Sequence, residues 1–82
     1  MMTIRNLEFI EFDGEISVVR VQLDCDTIAD LPKADGLPLA KDKTSRRIHQ
    51  GSTALLIKEG NIVIFAGDNT WVDVDGNFVK EG

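Results

Sequence analysis

At 82 residues the chain is one small domain, and a domain of this size buries only about 60–65% of the surface its unfolded form exposes. A formal charge of −5 with a pI near 4.6 argues against a nucleic-acid groove, which needs clustered Lys and Arg to neutralise phosphates. A single cysteine, Cys25, excludes an internal disulfide, and a single histidine, His49, argues against zinc. Of the usual supports for a thin core, oligomerisation remains.

Residues 1–12 carry acidic side chains where a secretory leader needs an apolar run, and no apolar stretch approaches spanning length. The expectation is a soluble protein made in a cytoplasm, with no membrane partner, where a free Cys25 suits a reducing compartment.

Residues 3–24 read as a strand–turn–strand unit around Asp13-Gly14, a strong short hairpin signal. With those two residues as the turn, Leu7, Phe9, Ile16 and Val18 share one face. Ile4, Ile10, Phe12, Val19, Val21 and Leu23 share the other. Both faces are too apolar for a ribbon with one solvated side. Either cover packs on both sides, or a bulge shifts the register midway.

Residues 25–50 form a connector. Asp26-Thr-Ile-Ala-Asp-Leu-Pro32 suits a single helical turn, with Asp26 or Thr27 as cap and Pro32 as the stop. Beyond it, residues 33–38 are turn-rich and residues 41–50 are polar without an apolar stripe. Within this stretch the local basic group Lys41, Lys43, Arg46 and Arg47 reads as a solvated loop. Long connections in small domains are functional, disordered or ordered by a partner, so this segment is expected to be mobile or ordered by assembly.

Residues 51–82 read as a meander. Strands at 53–58 and 61–66 pair around Glu59-Gly60, which sets Leu55, Ile57, Ile62 and Ile64 on one face. Residues 67–70 turn the chain, a strand at 71–74 carries the only tryptophan, and Asp75-Gly76 turns it again into a stub at 77–79. The fold class is mainly β: a small antiparallel sheet of two hairpin units, one domain over 1–82, with a long central connector and one short helical turn.

Candidate chemistry is sparse. Asp73-Val-Asp75-Gly76-Asn77 has the look of a partial EF-hand loop. Aligning Gly76 with that motif's glycine puts Trp71 at the first ligand position and Gly82 at the twelfth, and neither supplies the required carboxylate. Turn residues flanking strands are the simpler reading. Asp24, Asp26 and Asp30 surround a strand exit and a helix start, where acidic residues are ordinary. Cys25 and His49 sit in no local nucleophile signature. No catalytic residue, metal ligand or cofactor is assigned. Trp71 is expected in the core or between subunits, with a surface binding platform as the second reading.

The order Ala29-Asp30-Leu31-Pro32, a loop, Gln50-Gly51-Ser52-Thr53-Ala54, a strand, a Gly turn, a strand and Trp71-Val72 resembles small structural proteins of tailed bacteriophages and prophages. These often carry an Ala-Asp-Leu-Pro-like element followed by Gly-Ser-x-Ala, Gly-x-Val-Tyr and Trp. The resemblance covers Ala29 to Val72, departs at Ile64 or Phe65 where the pattern tends to have Tyr, and leaves out the N-terminal hairpin. It implies a non-enzymatic capsid- or tail-associated protein, present in the bacterial host during assembly and then in the virion. Its partners would be copies of itself and other phage structural proteins. Contact is expected through Ile4, Ile10, Phe12, Val19, Val21 and Trp71. The alternative is a small β binding module that recognises a ligand or host protein through a surface centred on Trp71.

Overall fold

The chain's computed structural model describes residues 1–39 and 43–81 and is mainly β, with seven strands in one sheet. They are β1 (Met2–Asp13), β2 (Ile16–Cys25), β3 (Arg46–Ile48), β4 (Thr53–Leu56), β5 (Asn61–Gly67), β6 (Thr70–Asp73) and β7 (Phe78–Glu81). The sheet order is β1-β2-β4-β5-β6-β7, with β3 also paired to β2.

The first hairpin forms where expected, but its turn is Gly14-Glu15, since Asp13 lies opposite Ile16. Gly14, at φ +63°, takes the first central position of the turn, where a side chain would be strained. Met2, Thr3 and Ile4 keep the expected partners Cys25, Asp24 and Leu23. Register slips between Ile4 and Asn6 and between Phe9 and Glu11 then move the rest. Each slip exchanges the faces of the residues beyond it. Leu7 therefore lies opposite Val21 and Phe9 opposite Val19, which corrects the grouping of Leu7 and Phe9 with Val18. The two apolar faces of the sequence are largely one face drawn through bulges.

The connector is also corrected. β3 and β4 both run parallel to β2, β3 along Ser17–Val19 and β4 along Gln22–Cys25. A parallel neighbour requires the chain to return to the start of the first strand, which takes a crossover of about a dozen residues or more. That return explains the length of residues 26–45. The crossover contains the expected single turn, a 3₁₀ segment at Ile28–Asp30, where the Thr27 N–H donates to Asp30 Oδ2 at 3.1 Å. Leu31 and Leu37 are buried, and the Ala34 carbonyl accepts from the Ile48 N–H at 2.8 Å. The described crossover residues thus cover one face of the sheet, here the inner face. Lys41, part of the basic group read from sequence, lies outside the described residues.

The core joins β2 (Val19, Val21, Leu23, Cys25), Ile48, Ala54 and Leu56, Val63 and Phe65, and Trp71 to Leu31 and Leu37 from the crossover. The second hairpin turns over residues 57–60 rather than through Glu59-Gly60 alone, because Leu56 pairs with Asn61. Leu55, Ile62 and Ile64 still share a face, but Leu55 now lies opposite Ile62 rather than Ile64, and Ile57 moves into the turn. Between β5 and β6 the turn is Asp68-Asn69, both at positive φ, as a two-residue type I′ connection requires.

Candidate functional site

Trp71 is the largest fully buried side chain. Its ring meets Phe65 edge-on at 5.1 Å between centroids, and its Nε1–H donates to the Pro32 carbonyl at 2.9 Å. Lys80, opposite Trp71 on β7, sends its Nζ to the carbonyls of Ala29 and Leu31. Ala34 N–H donates to Asn69 Oδ1 at 2.8 Å. β6, β7 and the turn before β6 therefore hold the crossover onto the sheet. With its indole fully buried, Trp71 presents no surface to a ligand.

Ser52 is the one buried polar residue among the described side chains. It sits at the break between β3 and β4, where the main chain leaves β2. Its hydroxyl accepts the Val21 N–H at 3.0 Å and donates to the His49 carbonyl at 2.8 Å. The side chain thus replaces a missing rung of the parallel ladder. The preceding rung on β2 is a backbone bond from the His49 N–H to the Val19 carbonyl, and on the opposite side the Ser52 carbonyl accepts the Phe65 N–H of β5, both at 2.7 Å.

Cys25 and His49 do not meet. The His49 N–H is bonded to Val19 on β2, and Cys25 lies six residues (25 − 19) further along that strand, on the order of 20 Å away. The Cys25 thiol is fully buried, and burial, reinforced by Asp30, pushes its pKa up to about 11. A thiol held protonated is a poor nucleophile. Treatment with an aromatic disulfide reagent at pH 8 is expected to leave Cys25 unmodified until denaturant is added; prompt stoichiometric reaction of the native chain would contradict this burial.

The acidic clusters are occupied by the fold. Asp73 Oδ1 accepts from the N–H groups of both Asp75 and Asn77 at 2.9 Å, so this carboxylate builds the turn that resembled a calcium loop. The N-terminal ammonium contacts Asp30 at 2.7 Å and Asp26 at 3.1 Å. Hydrogen bonds to Asp30 and Asp26 raise the ammonium pKa above 8.0, and the ammonium contact with Thr27's help lowers that of Asp30 below 3.8. The ammonium's contribution is complete below about pH 8 and lost as pH rises through its raised value. Asp30's is complete above about pH 4 and lost on acidification through its lowered value. Thermal melts of the 82-residue chain should therefore lose stability on both sides of that window. An N-acetylated chain should lack the alkaline limb; identical alkaline limbs would show that the contact does not form. Arg47 pairs with Asp13, which divides the remaining basic group.

The expected contact residues separate. Val19 and Val21 are buried in the chain's own core with Trp71, and Ile4 packs against its margin. Ile10 lies within the second register slip and is half-buried. Only Phe12 remains open, 65% exposed, with its ring 4.8 Å from that of Phe9 at the hairpin tip. The cover accounts for the change, because Leu31 and Leu37 of the crossover pack with Trp71 on the face that carries Val19 and Val21.

The opposite, outer face carries what sequence reasoning missed. Its β1–β2 half is polar along Arg20–Asp24, with Arg5 paired to Asp24 and Arg20 3.8 Å from Glu8, while Val18 on the same side of β2 is buried. Its β4–β7 half is apolar. One cross-strand row runs Leu55–Ile62 and a second runs Ile64–Val72–Phe78. Val74 joins Ile62 in lining a shallow depression. Ile62, Val74 and Phe78 are 52%, 71% and 63% exposed. The grouping of Leu55, Ile62 and Ile64 was visible in the alternation. That the face stays uncovered, and that Val72 and Phe78 extend it, depends on strand pairing.

Among the described residues, no group of three or more His, Cys, Asp or Glu is placed to hold a metal ion, and no helix is long and apolar enough to cross a membrane. Comparison with protein-family models, curated proteins and solved structures gives no match.

Proposed function

We propose that this chain is a non-enzymatic structural protein that works by assembly, with copies of itself and with neighbouring proteins of a phage or prophage particle. The observation that carries the assembly reading is the contiguous apolar half-face on β4–β7. The largest apolar patch on a small domain is often a functional surface. The particle setting, capsid- or tail-associated, comes from the sequence resemblance alone. The buried groups support the same reading, because Trp71, Ser52 and Cys25 all serve packing or backbone pairing.

The test is quantitative mass spectrometry of particles purified from cells that carry the gene, alongside a deletion strain. The expected result is a fixed copy number per particle and defective assembly on deletion. Complete absence from particles of normal yield would sink the particle reading. A binding module centred on Trp71 would require that indole to be accessible, and its burial weighs against that alternative.

A further inference from the structure

We propose that the cavity between the crossover and the start of β3 binds a small organic monocarboxylate with an apolar body, held by the Arg46 guanidinium. The cavity is about 420 Å³, within the range of small-molecule sites. None of its described lining belongs to the outer face of β4–β7, so the site stands independently of the assembly reading.

Of the four arginines in the chain, Arg5, Arg20 and Arg47 face Asp24, Glu8 and Asp13. Arg46 is half-buried, yet among the described residues no carboxylate lies within ion-pair distance of it. Its position follows from the strand. Side chains alternate, so Arg46 shares the inner face with Ile48, which is buried in the core. Around it, Ile16, Leu37 and Leu39 give the cavity apolar walls. A guanidinium partly out of water beside such walls gains from a carboxylate, which it can bind through two parallel hydrogen bonds.

A second donor lines the same cavity. Asn69, in the turn before β6, accepts the Ala34 N–H through Oδ1 at 2.8 Å. That bond fixes the amide and leaves its Nδ2 hydrogens for an occupant.

The lining also selects the ligand's charge. Arg47 is part of it, but its guanidinium is 2.5 Å from Asp13. Asp35 is the one carboxylate of the described lining, exposed and paired with neither arginine. One free positive charge therefore shares the cavity with one negative charge. A dianion such as inorganic phosphate would bring a second charge against Asp35 with nothing to offset it. A monocarboxylate places its single charge at Arg46 and its apolar body against Leu37 and Leu39.

Chemical-shift titration of the isotope-labelled chain at constant ionic strength tests the site. Hexanoate should give saturable shifts at Leu37, Arg46 and Asn69, with a dissociation constant on the order of 1–10 mM. Hexanamide, which has the same shape without the charge, and inorganic phosphate should each bind at least ~5-fold more weakly. Arg46→Gln should weaken hexanoate binding by at least ~10-fold, the loss of one charge-assisted pair. Asp35→Asn, which removes the opposing charge, should tighten it by about 2–5-fold.

The absence of any saturable shift at these residues up to ~100 mM hexanoate would overturn the proposal. Equal binding of hexanamide would reduce the cavity to an apolar depression, and tighter binding of phosphate would make it a phosphate site; either result refutes the monocarboxylate. Hexanoate binding unchanged in Arg46→Gln refutes the role of the guanidinium. Shifts confined to Ile62, Val74 and Phe78 would put the ligand on the outer face and refute the site. The comparison of hexanoate with hexanamide needs only the wild-type chain, so it decides the matter even where Arg46→Gln fails to fold.

Discussion

Replacing Trp71 by alanine is expected to destabilise the chain by ~4–5 kcal/mol, the upper part of the range for removing a buried aromatic. Three losses coincide: the largest buried side chain, the edge contact with Phe65, and the bond from Nε1 to the Pro32 carbonyl. A domain of this size holds roughly 4–12 kcal/mol in total, so Trp71→Ala should be substantially unfolded at 37 °C. Trp71→Phe separates the contributions. It keeps an aromatic ring but leaves the Pro32 carbonyl without its partner, for an expected loss of ~2–3 kcal/mol. Urea melts monitored by circular dichroism measure both. The wild-type indole should emit at short wavelength and resist quenching by iodide. A red-shifted, freely quenched emission would refute the buried placement, and a Trp71→Ala loss below about 1 kcal/mol would refute its role as the crossover's anchor.

Ser52→Ala is the second large effect, expected at ~1–3 kcal/mol. The substitution removes only one oxygen atom and creates almost no cavity. It leaves the Val21 N–H without its partner, while the His49 carbonyl keeps the backbone N–H of residue 52 at 3.2 Å, and one unpaired buried group costs about 1–3 kcal/mol. In a domain of 60–100 residues, 1 kcal/mol moves the melting temperature by about 4–8 °C, so the shift should be at least ~4 °C. Calorimetry checks it. No measurable shift would mean that water or a backbone adjustment restores the Val21 bond. Amide exchange at Val21 gives a local readout: protection should fall more there than at Leu23, whose neighbouring rungs on β4 are backbone bonds.

Much of the strand content was legible because it depends on local chemistry. Runs rich in Ile, Val and Phe, separated by Asp-Gly, Glu-Gly and Gly-Asp-Asn-Thr, mark hairpins whatever surrounds them. The 3₁₀ turn before Pro32 was legible for the same reason. The connector was not. Its apolar residues, Leu31, Leu37 and Ile48, are too widely spaced to show a period, and their burial depends on a sheet assembled from residues distant in sequence. β3 is three residues long and becomes a strand only because β2 offers an open edge.

The residues that carry the phage resemblance have structural duties. Asp30 closes the 3₁₀ turn, Pro32 receives the Trp71 indole, and Ser52 bridges the break beside β2. Such residues are conspicuous in sequence because specific backbone bonds require them. The proposed contact face has no such signature. Leu55, Ile62, Ile64 and Val72 look like the core residues that alternate with them, and only the side on which the crossover lies distinguishes the two sets.

By itself, then, the sequence determined a small acidic β protein, its hairpins, and the absence of an internal disulfide, because turn chemistry, alternation and composition act locally. Tertiary structure alone decided the register of the first hairpin, the parallel return beside β2, the burial of Val19, Val21 and Trp71, and the exposure of Ile62, Val74 and Phe78. The burial and the exposure depend on which face of the sheet the crossover covers. That choice is made by pairing between residues far apart in the chain, where one slipped residue exchanges inside for outside.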